Sequence, residues 1–285
     1  MARISPSVQR VVYGSPYYLV VDRPVYRGGG GNQGSFGPAA PTIAGLTLAW
    51  DFDFGPEMLG PMQAEIFSRG GTDTQAFVHP ISGALEIQSI SGARRALVFD
   101  SAYEAAIKVR NGTTAMDSAD SEFTFVIIFH RDEAGVSHNL WDVNAGFNSG
   151  DNVDSLNRYR LRLASTDAAQ WSRANGSNTS VAALGTPSLL QRNILIGRGS
   201  LGGDQVSRGM MNGGTKTSTV VRSVTEATWD IQLLGAQGIW HGGTSGYQTF
   251  GGFFKGKIER VFLYSGSAAD ADFDTIYAWA TAYYT

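Results

Sequence analysis

The chain has 285 residues, 42% hydrophobic and 16% charged, which is enough apolar surface for a sizeable core and too little charge for a disordered sequence. It contains no cysteine, which excludes disulfides and thiolate metal sites, and its formal charge of −3 comes without a basic stripe, which argues against a nucleic-acid partner. No run approaches the ~20 apolar residues of a membrane-spanning helix, so no membrane partner is expected. The length suits one large β domain more simply than two small ones, and 36 glycines with 9 prolines suit many short strands joined by tight turns.

Residues 1–42 differ from the rest. They hold Pro6, Pro16, Pro24, Pro38 and Pro41 and the run Gly28 to Gly31, which is linker chemistry. Val11, Tyr13, Tyr17, Tyr18, Leu19 and Val21 nevertheless form sticky, strand-like pieces. Arg3, Arg10, Arg23 and Arg27 against Asp22 make this segment net positive, while the remainder is negative. One reading is an arm that anchors on a neighbouring subunit by strand addition, with the glycine run as hinge. The other is a set of strands capping the domain's own sheet edge. Residues 1–7 lack the apolar stretch of a signal peptide, so the chain is expected to be made in the cytoplasm.

Further along, Leu46 to Phe54 reads as a strand on which Asp51 and Asp53 share one face roughly 7 Å apart, a spacing compatible with an inverting glycosidase pair or with two polar residues beside a first strand. Ala96 to Asp100 and Phe123 to His130 are further strands. After Trp141, Asp142, Asn144, Asp151, Asn152 and Asp154 form an oxygen-rich loop, which reads as a solvated turn with a Ca²⁺ site as the weaker alternative. Tyr159 to Leu163 is a strand on which Arg158, Arg160 and Arg162 alternate into a single-face row. That row is an anion-contacting patch, a solvated face or a contact to an acidic neighbour.

Asn193 to Gly197 leads into Gly197 to Gly202, which matches G-x-G-x-x-G, but no helix follows and the match reads as a glycine-rich turn. His79, His130, His138 and His241 show no metal-ligand spacing beyond a loose His130/His138 pair. Trp141, Tyr159, Trp171, Trp240, His241 and Tyr247 lie in or beside Gly- and Asn-rich segments, where an exposed ring could stack on a sugar. Trp50 and Trp279 are assigned to the core, and Trp240 is the best candidate for exposure.

The chain closes on a strand, Lys257 to Tyr264, and a helix. Ser267 and Asp270 suggest a capping box, and Phe273, Ile276, Tyr277, Ala280 and Tyr284 make one apolar face.

The closing segment Phe254-Lys255-Gly256-Lys257-Ile258-Glu259-Arg260-Val261-Phe262-Leu263-Tyr264, followed by a small helix, resembles the end of laminin-G-like, concanavalin A-like jelly rolls of bacteriophage particles. Leu46 to Phe54, Ala96 to Asp100, Phe123 to His130 (with Ile128 where Trp is common), Tyr159 to Leu163, Asn193 to Gly197 and the Asn-Gly turn at Met211 to Gly214 fit the same pattern in order. The resemblance covers residues 46–284.

It implies an all-β fold: a two-sheet antiparallel jelly-roll sandwich over residues 43–285, with an extended N-terminal arm (1–42) and a short C-terminal helix. The function it implies is a non-enzymatic virion structural protein, a capsid decoration or tail accessory protein docked by its arm. Its partners would be other virion proteins, further copies of itself and a host surface glycan. The alternatives are a carbohydrate-binding module and, third, a glycoside hydrolase. Glucanases of this fold carry Glu-x-Asp-x-x-Glu on a central strand, whereas Phe123 to Ile128 has no carboxylate. No cofactor is expected apart from the weaker Ca²⁺ alternative.

Overall fold

The computed structural model describes residues 38–53, 65–67, 75–80, 86–91, 94–100, 105–109, 122–144, 158–175, 178–200, 206–220, 231–240 and 248–284. The chain divides into two units, Met1–Gln33 and Gly34–Thr285. All described residues belong to the second, so Val11, Tyr13, Tyr17, Tyr18, Leu19 and Val21 lie outside them.

The elements in chain order are β1 (Thr47–Asp53), β2 (Glu65–Phe67), β3 (Gln75–Pro80), β4 (Glu86–Ser91), β5 (Arg94–Phe99), β6 (Ala105–Val109), β7 (Glu122–Arg131), β8 (His138–Asn144), β9 (Arg158–Leu163), β10 (Ala169–Asn175), β11 (Asn178–Gly185), β12 (Arg192–Ser200), β13 (Val206–Met211), β14 (Thr217–Val220), β15 (Ile231–Leu234), β16 (Gln237–Trp240), β17 (Gln248–Gly251), β18 (Gly256–Ser265) and α1 (Asp270–Tyr284). One sheet runs β14-β13-β12-β7-β18-β5-β4 with β1 also paired to β18, the second runs β11-β10-β9-β8-β15-β6-β3-β2, and β16 and β17 form a separate hairpin. Every pair among the described strands is antiparallel. The fold is a two-sheet β-sandwich with one C-terminal helix.

The near-continuous apolar runs of β7 and β18 follow from their position at the centre of the first sheet, where both faces are covered. On the inner face Phe123, Phe125, Ile127 and Phe129 meet Trp141, Tyr159, Leu161 and Trp171 of the second sheet. Phe125 stacks on Trp141 with centroids 4.3 Å apart, and Trp141 stacks on Trp171 at 5.7 Å. On the outer face Val126, Ile128, Phe262 and Tyr264 pack with Phe273, Ile276 and Ala280 of α1. A strand covered on both faces leaves no side chain in water, so the polar groups it carries must be paired inside the protein. Burying Phe273 and Ile276 contributes about 1.5–3 kcal/mol each relative to exposure.

The helix starts two residues later than the Ser267/Asp270 reading. Asp272 Oδ2 accepts the Ala269 N–H at 2.7 Å, so the half capping box spans Ala269 and Asp272. Asp270 instead receives Arg208 Nη2 at 2.6 Å, tying the first turn to β13.

The G-x-G-x-x-G match is also corrected. Gly197 and Gly199 lie inside β12, paired along their length with β7. A Cβ at Gly197 would come 2.9 Å from the Trp171 ring, and one at Gly199 would come 2.7 Å from the Tyr159 ring. Large aromatics from the opposite sheet occupy the volume that side chains would take. The Asn-Gly turn is present: Asn212 and Gly213 both have positive φ (51° and 70°), and Gly214 N donates to Met211 O at 2.9 Å.

Residues 38–42, grouped by composition with the N-terminal segment, are held to the body. Arg260 Nη1 donates to Pro38 O and Tyr264 Oη to Pro41 O, each at 2.6 Å. Burial pushes the Tyr264 phenol far up, with the Asp51 charge adding to the effect, so it stays a donor at any ordinary pH.

Candidate functional site

Among the described residues no helix packs on the outer face of the second sheet, and the alternation of Arg158 to Leu163 shows which side chains lie there. Tyr159, Leu161 and Leu163 point into the core, so Arg160 and Arg162 face outward from β9, both half-buried. The cross-strand register sets their neighbours. Asp142 of β8, Arg160 and Ser172 of β10 form one row, and Asn139 of β8, Arg162 and Gln170 of β10 form the next. Val181 and Ala183 of β11 continue the two rows as small, exposed side chains.

The side chains of these rows are ordered by mutual hydrogen bonds. Arg162 Nε donates to Gln170 Oε1 at 2.7 Å, Arg160 Nη1 to Gln237 Oε1 at 3.1 Å, and Ser172 Oγ to the Arg160 carbonyl at 3.2 Å. Asn139 Nδ2 donates to Gly252 O at 3.2 Å. Gln237 belongs to β16 and Gly252 follows β17, so the hairpin is fastened to β8 and β9 by polar contacts. The single-face arginine row is therefore present for Arg160 and Arg162, and the acidic residue opposite Arg160 is Asp142.

Half of the aromatic candidates are displaced from this surface. Trp141, Tyr159 and Trp171 are each 0% exposed. They sit on the inward phase of β8, β9 and β10, where the Phe123 ring packs edge-on to Tyr159 at 4.9 Å, and none of the three can stack on a ligand. The Tyr159 hydroxyl is satisfied internally by Ser207 Oγ at 3.3 Å. Trp50 is core as expected, and Trp279 is half-buried, lying over the Arg260 guanidinium at 5.0 Å. Trp240 ends β16 and pairs in register with Gln248, which begins β17. His241 and Tyr247 follow and precede that pair in the chain and lie outside the described residues.

The oxygen-rich cluster is likewise rearranged. Asp142 and Asn144 are residues of β8 rather than of a loop, and Asp142 is fully buried opposite Arg160. Asp151, Asn152 and Asp154 lie outside the described residues. Among the described residues no group of three metal-ligating side chains converges.

Two buried polar clusters went unrecognised in the sequence. Arg260, 0% exposed, makes a bidentate pair with Asp51 (Nε to Oδ1 2.8 Å, Nη2 to Oδ2 2.6 Å), and Asp53 lies 3.9 Å from Nη1. The carboxylates considered as a hydrolytic pair are thus committed to one guanidinium. At the β-bulge between Ile258 and Arg260, Glu259 Oε1 is shared by His130 Nε2 at 2.5 Å and Arg192 Nε at 2.9 Å. Burial works to raise the Glu259 carboxyl, but the two hydrogen bonds and the Arg192 charge outweigh it and hold the group below the usual glutamate range. The signal was there to read: adjacent charges inside an apolar strand must find partners on neighbouring strands. His138 serves a separate place, its Nδ1 2.7 Å from Phe253 O.

No family model matches the chain, and no curated protein does. Solved structures do. Domain 4 of AbnA, an extracellular arabinanase of Geobacillus stearothermophilus in complex with arabinotriose, matches with a TM-score of 0.51 at 12% identity, over 81% of this chain and 98% of that one. The binding domain of botulinum neurotoxin DC in complex with SialylT matches with a TM-score of 0.54 at 8% identity, over 81% of this chain and 51% of that one. A botulinum neurotoxin type C structure, described as interacting with two ganglioside molecules, matches at 0.54 and 9% identity. The likeness is one of fold. This chain spans about half the length of the neurotoxin chains.

Proposed function

We propose that this chain is a non-enzymatic binding module, a lectin-like sandwich that recognises a glycan and is carried on a bacteriophage particle by its N-terminal segment. The observation that carries the glycan half is the polar outer face of the second sheet beside the β16–β17 hairpin, where among the described residues half-buried Arg160, Arg162, Gln170 and Gln237 are ordered by mutual hydrogen bonds next to buried Asp142, Asn139 and Ser172. It is supported by the same architecture in structures solved with arabinotriose and SialylT. In this reading Trp240, which ends β16, is the stacking residue, and the half-buried groups of the ordered face supply hydrogen bonds to hydroxyls. A non-catalytic role agrees with the engagement of Asp51 and Asp53 by Arg260.

The virion half rests on the ordered motifs from Leu46 to the closing helix and on the composition of the first unit. That unit is rich in Pro and Gly yet holds strand-like Val/Tyr/Leu pieces suited to pairing with another subunit. Two experiments test the two halves. Trp240→Ala should weaken glycan binding about tenfold or more without shifting the melting temperature, as loss of a stacking ring does. Deleting residues 1–33 should abolish attachment to particles and leave glycan binding intact. Truncated protein that still decorated particles at full occupancy would remove the anchoring role.

A further inference from the structure

The cations of the body have a consistent pattern of partners. Arg131 pairs with Asp167, Arg192 with Glu259, Arg198 and Arg208 with Asp270, and Arg260 with Asp51. Lys216 pairs with Asp274, Lys255 with Glu133 and Lys257 with Asp132. Arg160 stands across the β8–β9 pair from buried Asp142. Among these described cations Arg162 differs: it is held by an uncharged group, the Gln170 side chain, through Nε alone.

That single bond fixes the plane of the guanidinium. With Nε occupied, the side-on edge of the fork is used, and the end-on pair Nη1 and Nη2 is left to meet one planar or tetrahedral anion in bidentate fashion. The residue is half-buried, so its charge is screened less than that of a fully solvated arginine. On β11 the exposed side chains of Ala183, in the Arg162 row, and of Val181, in the next row, offer a low apolar shelf, while half-buried Gln170 keeps the face polar beside it.

The geometry points to Arg162 as an anion-recognition contact on this face, taking the carboxylate or sulfate of an acidic glycan with the sugar ring lying toward Val181 and Ala183. This rests on the glycan reading above and names the ligand class within it. Gln170 acts as a positioning residue by holding Nε.

The test is a printed set of neutral, carboxylated and sulfated glycans probed with the full chain and with Arg162→Gln and Gln170→Ala, at low and at physiological salt. The expected result is selective retention on acidic glycans that weakens as salt rises, a loss of about tenfold or more in Arg162→Gln, and a smaller loss in Gln170→Ala. Retention on carboxylated spots assigns the carboxylate, and retention on sulfated spots the sulfate. Melting temperatures of both variants should stay close to the parent, because Arg162 is only half-buried and water can take the place of Gln170 at its Nε. Retention on neutral glycans alone, or acidic binding unchanged in Arg162→Gln, would overturn the inference and leave the glycan reading standing. Binding to no glycan of any kind would overturn both.

Discussion

Arg260 shows how one residue can join distant parts of the chain. It holds Asp51 of β1 and the carbonyl of Pro38, and lies under Trp279 of α1. Removing one partner of a buried pair leaves the other charged and desolvated, so Asp51→Asn or Arg260→Met should cost about 3–5 kcal/mol in urea denaturation. A cost below about 1 kcal/mol would mean that the pair is solvated. Glu259 gives a prediction in pH. Its folded carboxyl lies below the ordinary glutamate value, so its contribution is complete above that value and is lost as pH falls through the depressed one. Melting temperature should therefore drop on acidification from about pH 6 to about pH 3. The drop should be shallower in Glu259→Gln, and equal slopes in the two proteins would contradict the assignment.

At the scale of elements, patterning carried most of the fold. The apolar runs of β7 and β18, the Asn-Gly turn and the apolar face of α1 are legible because periodicity and turn chemistry are local. What was not legible is non-local. Gly197 and Gly199 read as a turn because their spacing suggests one, whereas the rings that require them, Trp171 and Tyr159, arrive from the other sheet. The same two rings, with Trp141, read as surface aromatics because Gly- and Asn-rich segments flank their strands. The strand phase that buries them depends on register with partners far away in sequence. Gly199→Ala should force Tyr159 and Phe123 to shift and destabilise the protein by about 1–3 kcal/mol in thermal or urea unfolding, with no change in strand content by circular dichroism. An unchanged midpoint would show that the inter-sheet space at this point is loose.

For the whole molecule, the division of labour between sheets follows from what covers each. The first sheet is closed on its outer face by α1, while the described outer face of the second is polar next to the hairpin; in the proposed reading the first supports the second. The arginine row of β9 was legible from alternation alone, while Asp142 and the Gln170 and Gln237 contacts needed the register. Truncation probes the boundary of the body. Removing residues 1–33 should leave the unfolding midpoint in place. Removing 1–42 should lower it, because the buried Arg260 Nη1 and the Tyr264 hydroxyl lose the Pro38 and Pro41 carbonyls, about 1–3 kcal/mol for each group left unpaired. Equal midpoints for the two truncations would place the boundary after residue 42.

The central claim is that the sandwich binds a glycan without transforming it. Its most direct test is a broad glycan screen with the full chain, followed by titration of the best ligand and chromatographic analysis of that ligand after prolonged incubation. The account predicts saturable binding to at least one glycan class, competed by the free sugar, with the ligand recovered intact. Absence of binding across the screen, or release of shortened sugars, would contradict it.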